Sequence, residues 1–230
     1  MDLQTLTEKP PMPLSLFSRR VQAWAALTAL SMLVGCATPP APPKEEQIPT
    51  PAPEVVPAKP KRLGLALGGG GARGFAHVGV LQVLEEAGIK PDLVVGTSAG
   101  SLVGALYASG KTGAQLQRIA ETMEESAITD WALPFLNRGV LRGEALARYV
   151  TAQTQGRKIE ELPIRLGIVA TDLNLGEGVL FQRGDTATAV RASSAVPSVF
   201  LPVRINNRDY VDGGLVAPVP VRYAREMGAE

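Results

Sequence analysis

The chain has 230 residues, enough for one sizeable domain and an appendage. Lys and Arg total 23 and Asp and Glu 22, so no overall charge bias points to nucleic acid. The single cysteine, Cys36, excludes an internal disulfide, no Cys/His cluster offers a metal site, and the single histidine, His77, restricts any mechanism that needs an imidazole.

Arg19 and Arg20 precede an uncharged apolar stretch, residues 21–34. A basic segment followed by a short apolar one has the form of a secretory signal, and it is shorter than the roughly 18 residues of a membrane-spanning helix. It ends Leu33-Val34-Gly35-Cys36, which resembles a bacterial lipoprotein signal. That resemblance implies a lipidated Cys36 as the new N-terminus, with Ala37 after it favouring the outer membrane. Residues 1–36 are therefore read as a signal with a lipidation cysteine, and Met12 as an alternative start. Residues 37–62 hold nine of the 19 prolines. Such a segment reads as an extended linker, about 3.1 Å per residue, between anchor and domain.

The remainder, residues 63–230, reads as one α/β domain. Residues 63–67 form a buried strand, and residues 75–86 follow helical spacing with Val78, Leu81, Val83 and Leu84 on the apolar face. Residues 93–95 form a second apolar strand. A small-residue helix follows over 99–109, and Thr112 caps another over 114–125. Residues 131–136 are apolar and irregular. A further helix spans 144–154. Residues 164–170 and 179–182 read as an antiparallel pair joined across Gly176 and Gly178. Asp185 caps a short helix reaching about Ser194. Residues 203–205 and 209–211 form a hairpin around Asn206-Asn207 that delivers Asp212-Gly213-Gly214. A last helix runs from Pro220 and Val221 to Glu230, with no returning strand, so part of the domain's C-terminal sequence is expected to be absent. Strands alternating with helices predict a largely parallel sheet.

Two strand-to-helix turns carry the chemistry. Gly96-Thr97-Ser98-Ala99-Gly100 matches G-x-S-x-G between a strand and a helix, the context in which this motif presents a nucleophilic serine. A serine at a helix start is also an ordinary N-cap, so the pentapeptide alone leaves both readings open. Gly69-Gly70-Gly71-Ala72-Arg73-Gly74 also fits the dinucleotide-binding pattern G-x-G-x-x-G. That fingerprint wants an acidic residue at the end of the second strand, where this chain has Gly96-Thr97-Ser98. A phosphate-binding P-loop wants Gly-Lys-Ser/Thr, and here Phe75 follows Gly74. A row of free backbone N–H groups suits an oxyanion instead, worth about 3 kcal/mol per donor. Arg73 either fixes the loop through carbonyl contacts, the favoured reading, or attracts an anionic head group.

A nucleophilic serine needs a base. His77 follows the glycine loop directly and reads as a packed or solvent-facing helix residue. Asp212, before two glycines at a hairpin end, is the best carboxylate, although Asp-Gly is also a common turn signal.

GGGGARG, GTSAG and DGG, in this order, resemble the patatin-like phospholipases, nearest to bacterial members of the neuropathy target esterase group. Residues 191–203, RASSAVPSVFLPV, are similar to a further block of that family. The resemblance implies a patatin-like three-layer α/β/α fold. It also implies a Ser98–Asp212 dyad, which fits the lack of a second histidine. The oxyanion hole would be Gly69, Gly70 and Gly71, completed by Arg73 and Gly74, with Gly96 and Gly100 shaping the serine turn. It implies a phospholipid or other acyl-ester substrate, no cofactor, and, with Cys36, a lipid-anchored place in the cell envelope. Ala217 departs from the Asn expected after DGG. A nucleotide-binding regulator and a tethered protein without catalysis are the alternatives.

Overall fold

The structure, a computed structural model, describes residues 61–124, 130 and 141–230. The expected signal, Cys36, nearly all of the proline-rich linker and the apolar stretch 131–136 lie outside the described residues.

The described elements, in chain order, begin with β1 (Gly64–Leu67), a 3₁₀ turn (Gly71–Phe75), α1 (Ala76–Glu86), β2 (Leu93–Thr97), α2 (Ala99–Ala108) and α3 (Gly113–Thr122). They continue with α4 (Glu144–Thr154), β3 (Arg165–Asp172), β4 (Glu177–Phe181), α5 (Thr186–Ser193), β5 (Val203–Ile205), β6 (Arg208–Asp212) and α6 (Val221–Glu226). Local chemistry accounts for several boundaries. Thr112 and Gln115 form a reciprocal capping box on α3. The Asp185 carboxylate accepts the Thr188 N–H at the start of α5. Asn206 and Asn207 both take positive φ, 47° and 61°, the two-residue turn that suits a tight hairpin.

Four expectations are corrected, the first being that the helix expected over 114–125 ends at Thr122, with Met123 in extended conformation. The glycine loop winds directly into a 3₁₀ turn, so α1 starts at Ala76 rather than Phe75. Val83 is 63% exposed and lies off the apolar face that Val78 and Leu81 bury. The last helix stops at Glu226, short of Glu230, and Gly228 follows with φ 98°.

β1, β2 and β3 pair in parallel, while β4 and β6 run antiparallel to β3 and β5 antiparallel to β6. Four of the six strands therefore point the same way. Residues of β2 are buried on both faces, so its apolar run is continuous, as a central parallel strand requires. On one face Leu67, Val94, Leu166 and Ile168 pack with apolar residues of α1 to α5. On the other, Leu93, Val95 and Val169 meet Tyr223, Ala224 and Met227 from α6 and its end. The three layers are unequal among the described residues: five helices cover one face and one short helix the other.

β3 positions the site. Ile168 pairs with both Gly96 of β2 and Phe181 of β4, so these two strands lie on opposite edges. Ala170 pairs with both Val179 of β4 and Asp212 of β6, which puts β6 on the same edge as β2. That edge carries β2 as far as Val169, opposite Thr97, and β6 from Ala170, opposite Asp212. The two strands meet end to end where each delivers its candidate functional residue.

Candidate active site

Ser98 follows β2 and precedes α2, with φ 52° and ψ −124°. Positive φ is uncommon for a residue with a side chain and marks a strained turn of the kind a nucleophile elbow uses. Neighbouring glycines permit it. A Cβ at Gly96 would collide with the Gly100 carbonyl, and one at Gly100 would collide with the carbonyls of Leu67 and Gly68. The helix thus starts in backbone contact with the end of β1. Ser98 does not cap α2 with its side chain, which sets aside the N-cap alternative.

The Ser98 hydroxyl faces Asp212. Asp212 is 7% exposed, and three bonds fix it. Its N–H donates to the Ala195 carbonyl at 2.9 Å. Its carbonyl accepts the Thr171 hydroxyl at 2.8 Å. Its Oδ1 accepts the Gly214 N–H at 2.6 Å. Oδ2 is buried without a partner. Burial pushes the carboxyl above the ordinary range, and the neighbouring Ser98 hydroxyl and the bond from the Gly214 N–H draw it partly back. The serine is near enough to be felt but makes no well-formed hydrogen bond, as is common in such sites before a substrate tightens them.

The glycine loop lies against the elbow. A Cβ at Gly69 would stand 3.2 Å from Ser98 Cβ, and one at Gly74 would collide with Ala99 Cβ at 2.6 Å. The expected donor set is corrected at one position. The Gly69 N–H is committed to the Pro218 carbonyl at 2.9 Å, which ties the loop to the segment after Asp212. Among the described residues, the N–H groups of Gly70, Gly71 and Ala72 have no acceptor, so they are the free donors of the turn. Arg73 behaves as expected, its N–H and its Nε both directed at the Gly70 carbonyl, at 3.2 and 3.4 Å. His77 Nε2 lies 2.8 Å from the Gly68 carbonyl and donates to it. The histidine therefore anchors the entry to the loop, a role not visible in the sequence. Ala217 is buried beside Tyr223 and packs the sheet face under α6.

Two cavities flank this arrangement. A cleft of about 550 Å³ is lined by residues 216–220, Glu177 and Tyr223, and includes neither Ser98 nor Asp212. A narrow crevice lies among α1 to α4, walled by Phe75, Leu102, Leu106, Met123 and Tyr149 among others. Leu102 sits one helical turn beyond Ser98, so this crevice begins close to the elbow. No group of ionisable residues suited to hold a metal occurs among the described residues.

The 191–203 segment proves more central than its sequence suggested. Ser193 and Ala195 contact Ser98 and Asp212, Ser193 through Oγ to the Ser98 N–H and Ala195 through its carbonyl to the Asp212 N–H. Only the similarity of that block to a family motif signalled it.

Several known proteins are similar to this chain in sequence or fold. An uncharacterised NTE family protein of Mycobacterium tuberculosis is 39% identical over 161 residues, covering 70% of this chain and 44% of the relative. Human patatin-like phospholipase domain-containing protein 6 is 36% identical over 176 residues, covering 73% of this chain and 13% of the relative. The chain thus spans less than half the length of either relative. Among solved structures, VipD from Legionella pneumophila superposes with a TM-score of 0.52 at 17% identity, covering 67% of this chain and 46% of VipD, a likeness of fold. The family model described as patatin-like phospholipase matches residues 65–225, from β1 through the serine turn and Asp212 into α6, and the chain belongs to that family.

Proposed function

We propose that this protein is a serine acyl hydrolase acting on lipid esters, with Ser98 as nucleophile and Asp212 as base. The observation that carries this reading is the unpartnered Oδ2 of a buried Asp212 beside a serine held at positive φ. Buried carboxylate oxygens are rarely left without a donor, and the Ser98 hydroxyl acts on this carboxyl.

The reaction follows from these parts. Asp212 takes the Ser98 proton as Oγ attacks the ester carbonyl. The tetrahedral oxyanion is stabilised by the free N–H groups of Gly70 and Gly71, with Arg73 holding the loop shape. The alcohol leaves with the proton from Asp212. Water, deprotonated by the same carboxylate, then cleaves the acyl-enzyme and restores Ser98. The apolar side chains past Leu102 line a crevice of about 30 Å³, which an acyl chain has to widen to enter.

The lipid substrate rests on family membership. The envelope location rests on the signal-like sequence before Cys36 and is proposed with it: lipidation of Cys36 tethers the domain through the proline-rich linker. Metabolic labelling with a fatty acid that persists in Cys36→Ser would overturn the tether.

The function is tested with a fluorophosphonate probe. Labelling is expected at Ser98, with loss of labelling and of short-chain ester hydrolysis in folded Ser98→Ala. Undiminished turnover in that variant, or saturable NAD or ATP binding without esterase activity, would reject the reading in favour of the alternatives.

A further inference from the structure

α5 ends in a residue that the dyad mechanism does not use. Ser193 is fully buried. Its Oγ accepts the Ser98 N–H at 2.8 Å and donates to the Val169 carbonyl at 2.6 Å. One hydroxyl thus joins the backbone of the nucleophile to the backbone of β3. Val169 is the β3 residue that faces Thr97, and the next residue, Ala170, faces Asp212. Two residues further along the chain, the Ala195 carbonyl accepts the Asp212 N–H at 2.9 Å. The turn at the end of α5 therefore grips both halves of the site: Ser98 through a side chain and Asp212 through the main chain.

The chemistry of the elbow gives this grip a purpose. At φ 52° Ser98 is held away from the regions that residues with side chains prefer, and its N–H donates to the Ser193 hydroxyl, which bridges it to the Val169 carbonyl of β3. Without an acceptor, that buried N–H would favour relaxation of the turn. A serine hydroxyl is suited to the place, because it accepts from one backbone group and donates to another at once. Alanine offers neither. The helix is itself fastened at the same end, where Arg191 Nε and a terminal guanidinium nitrogen donate to the Arg142 carbonyl at 3.1 and 2.9 Å.

We propose that Ser193 is a positioning residue that holds the nucleophile elbow in its strained conformation and sets the separation of Ser98 from Asp212. The inference rests on Ser98 being the nucleophile. It also implies that the Ser98 N–H is no part of the oxyanion hole, because Ser193 occupies it.

The test compares inactivation kinetics of the wild-type chain, Ser193→Ala, Ser193→Cys and the neighbouring control Ser194→Ala, using a fluorophosphonate probe and a short-chain ester. In Ser193→Ala the maximal inactivation rate and kcat are expected to fall together, roughly 10- to 100-fold, from the loss of two buried hydrogen bonds and the displacement this permits. The probe's half-saturation and KM stay within about twofold, since substrate contacts are untouched. Ser193→Cys, which keeps a weak donor and acceptor, recovers part of the rate, and Ser194→Ala behaves as wild type. Wild-type inactivation rates in Ser193→Ala, or a loss carried by KM alone, overturn the proposal. If Ser193→Ala does not fold, Ser193→Cys decides: full wild-type kinetics there, with the weaker sulfur partner, reject the hydroxyl's role, and a reduced kcat at unchanged KM supports it. Failure of the wild-type chain to label at all rejects the nucleophile assignment instead, so the two failures are distinct.

Discussion

Thr97 and Asp212 occupy consecutive places along one edge of β3, opposite Val169 and Ala170. One strand ends and another begins along that edge, and the hydroxyl and the carboxylate are delivered to the junction. No loop has to carry either residue across the molecule. A site built on these strand ends is held by the shared pairing of Thr97 and Asp212 with β3, which keeps its geometry within narrow limits.

The base should titrate in the pH profile. Asp212 acts only when ionised, so kcat/KM falls as pH drops through its pKa. Burial pushes that pKa up, outweighing the neighbouring Ser98 hydroxyl and the bond from the Gly214 N–H, so the acid limb is expected above the ordinary carboxylate range. Asp212→Asn should lower kcat about 10²- to 10⁴-fold and leave residual activity without that limb. A wild-type limb at an ordinary carboxylate value would count against Asp212 as the buried base.

His77 provides the complementary control. Its imidazole donates to the Gly68 carbonyl and steadies the loop entry. His77→Ala is expected to reduce kcat by less than about 100-fold, through a loosened oxyanion loop, and to leave the acid limb in place. Disappearance of the limb in that variant would transfer the base role to the histidine.

Leu102 should govern acyl length. It stands one turn from Ser98 and lines, with Leu106 and Tyr149, an apolar crevice of about 30 Å³ that a long acyl chain has to widen. Leu102→Trp is expected to lower kcat/KM for long-chain esters while sparing acetyl and butyryl esters. The measurement is a series of p-nitrophenyl esters, and a uniform loss across the series would place the acyl chain elsewhere.

Gly100 is a packing requirement rather than a flexible joint. A Cβ there meets two backbone carbonyls, of Leu67 and Gly68, which have no room to withdraw. Gly100→Ala is expected to destabilise the fold by about 1–3 kcal/mol or more, read as a lower urea midpoint. Gly176→Ala is the contrast, because Gly176 has φ 68° and open space around it. There only the backbone conformation is penalised, about 1–2 kcal/mol.

Much of this was legible in the chain. The serine turn and the glycine loop are local features, with their strands and helices adjacent in sequence, so motif and context could be read together. The Asn206-Asn207 hairpin and the caps at Thr112 and Asp185 follow from side chains acting within a few residues of themselves. Val83 shows the limit of periodicity: the pattern placed it on the apolar face, but α1 packs against α2 and α3 over a narrower stripe. Gly69 shows another. Its free N–H could be counted from sequence, yet its partner is the carbonyl of Pro218, far along the chain.

By itself, the sequence determined which chemical groups are available: one presented hydroxyl, a run of unobstructed amides, a carboxylate on a hairpin end, and no imidazole in a triad position. These follow from residue types and short-range backbone geometry. The tertiary structure alone decided which of them meet and in what state. β3 aligned β2 and β6 on one edge, burial raised the carboxyl and left Oδ2 open, Pro218 removed Gly69 from the donor set, and the end of α5 supplied Ser193 and Ala195 to hold both partners. Each of these depends on contacts between residues distant in sequence, and hydrogen bonds and desolvation act through space, not along the chain.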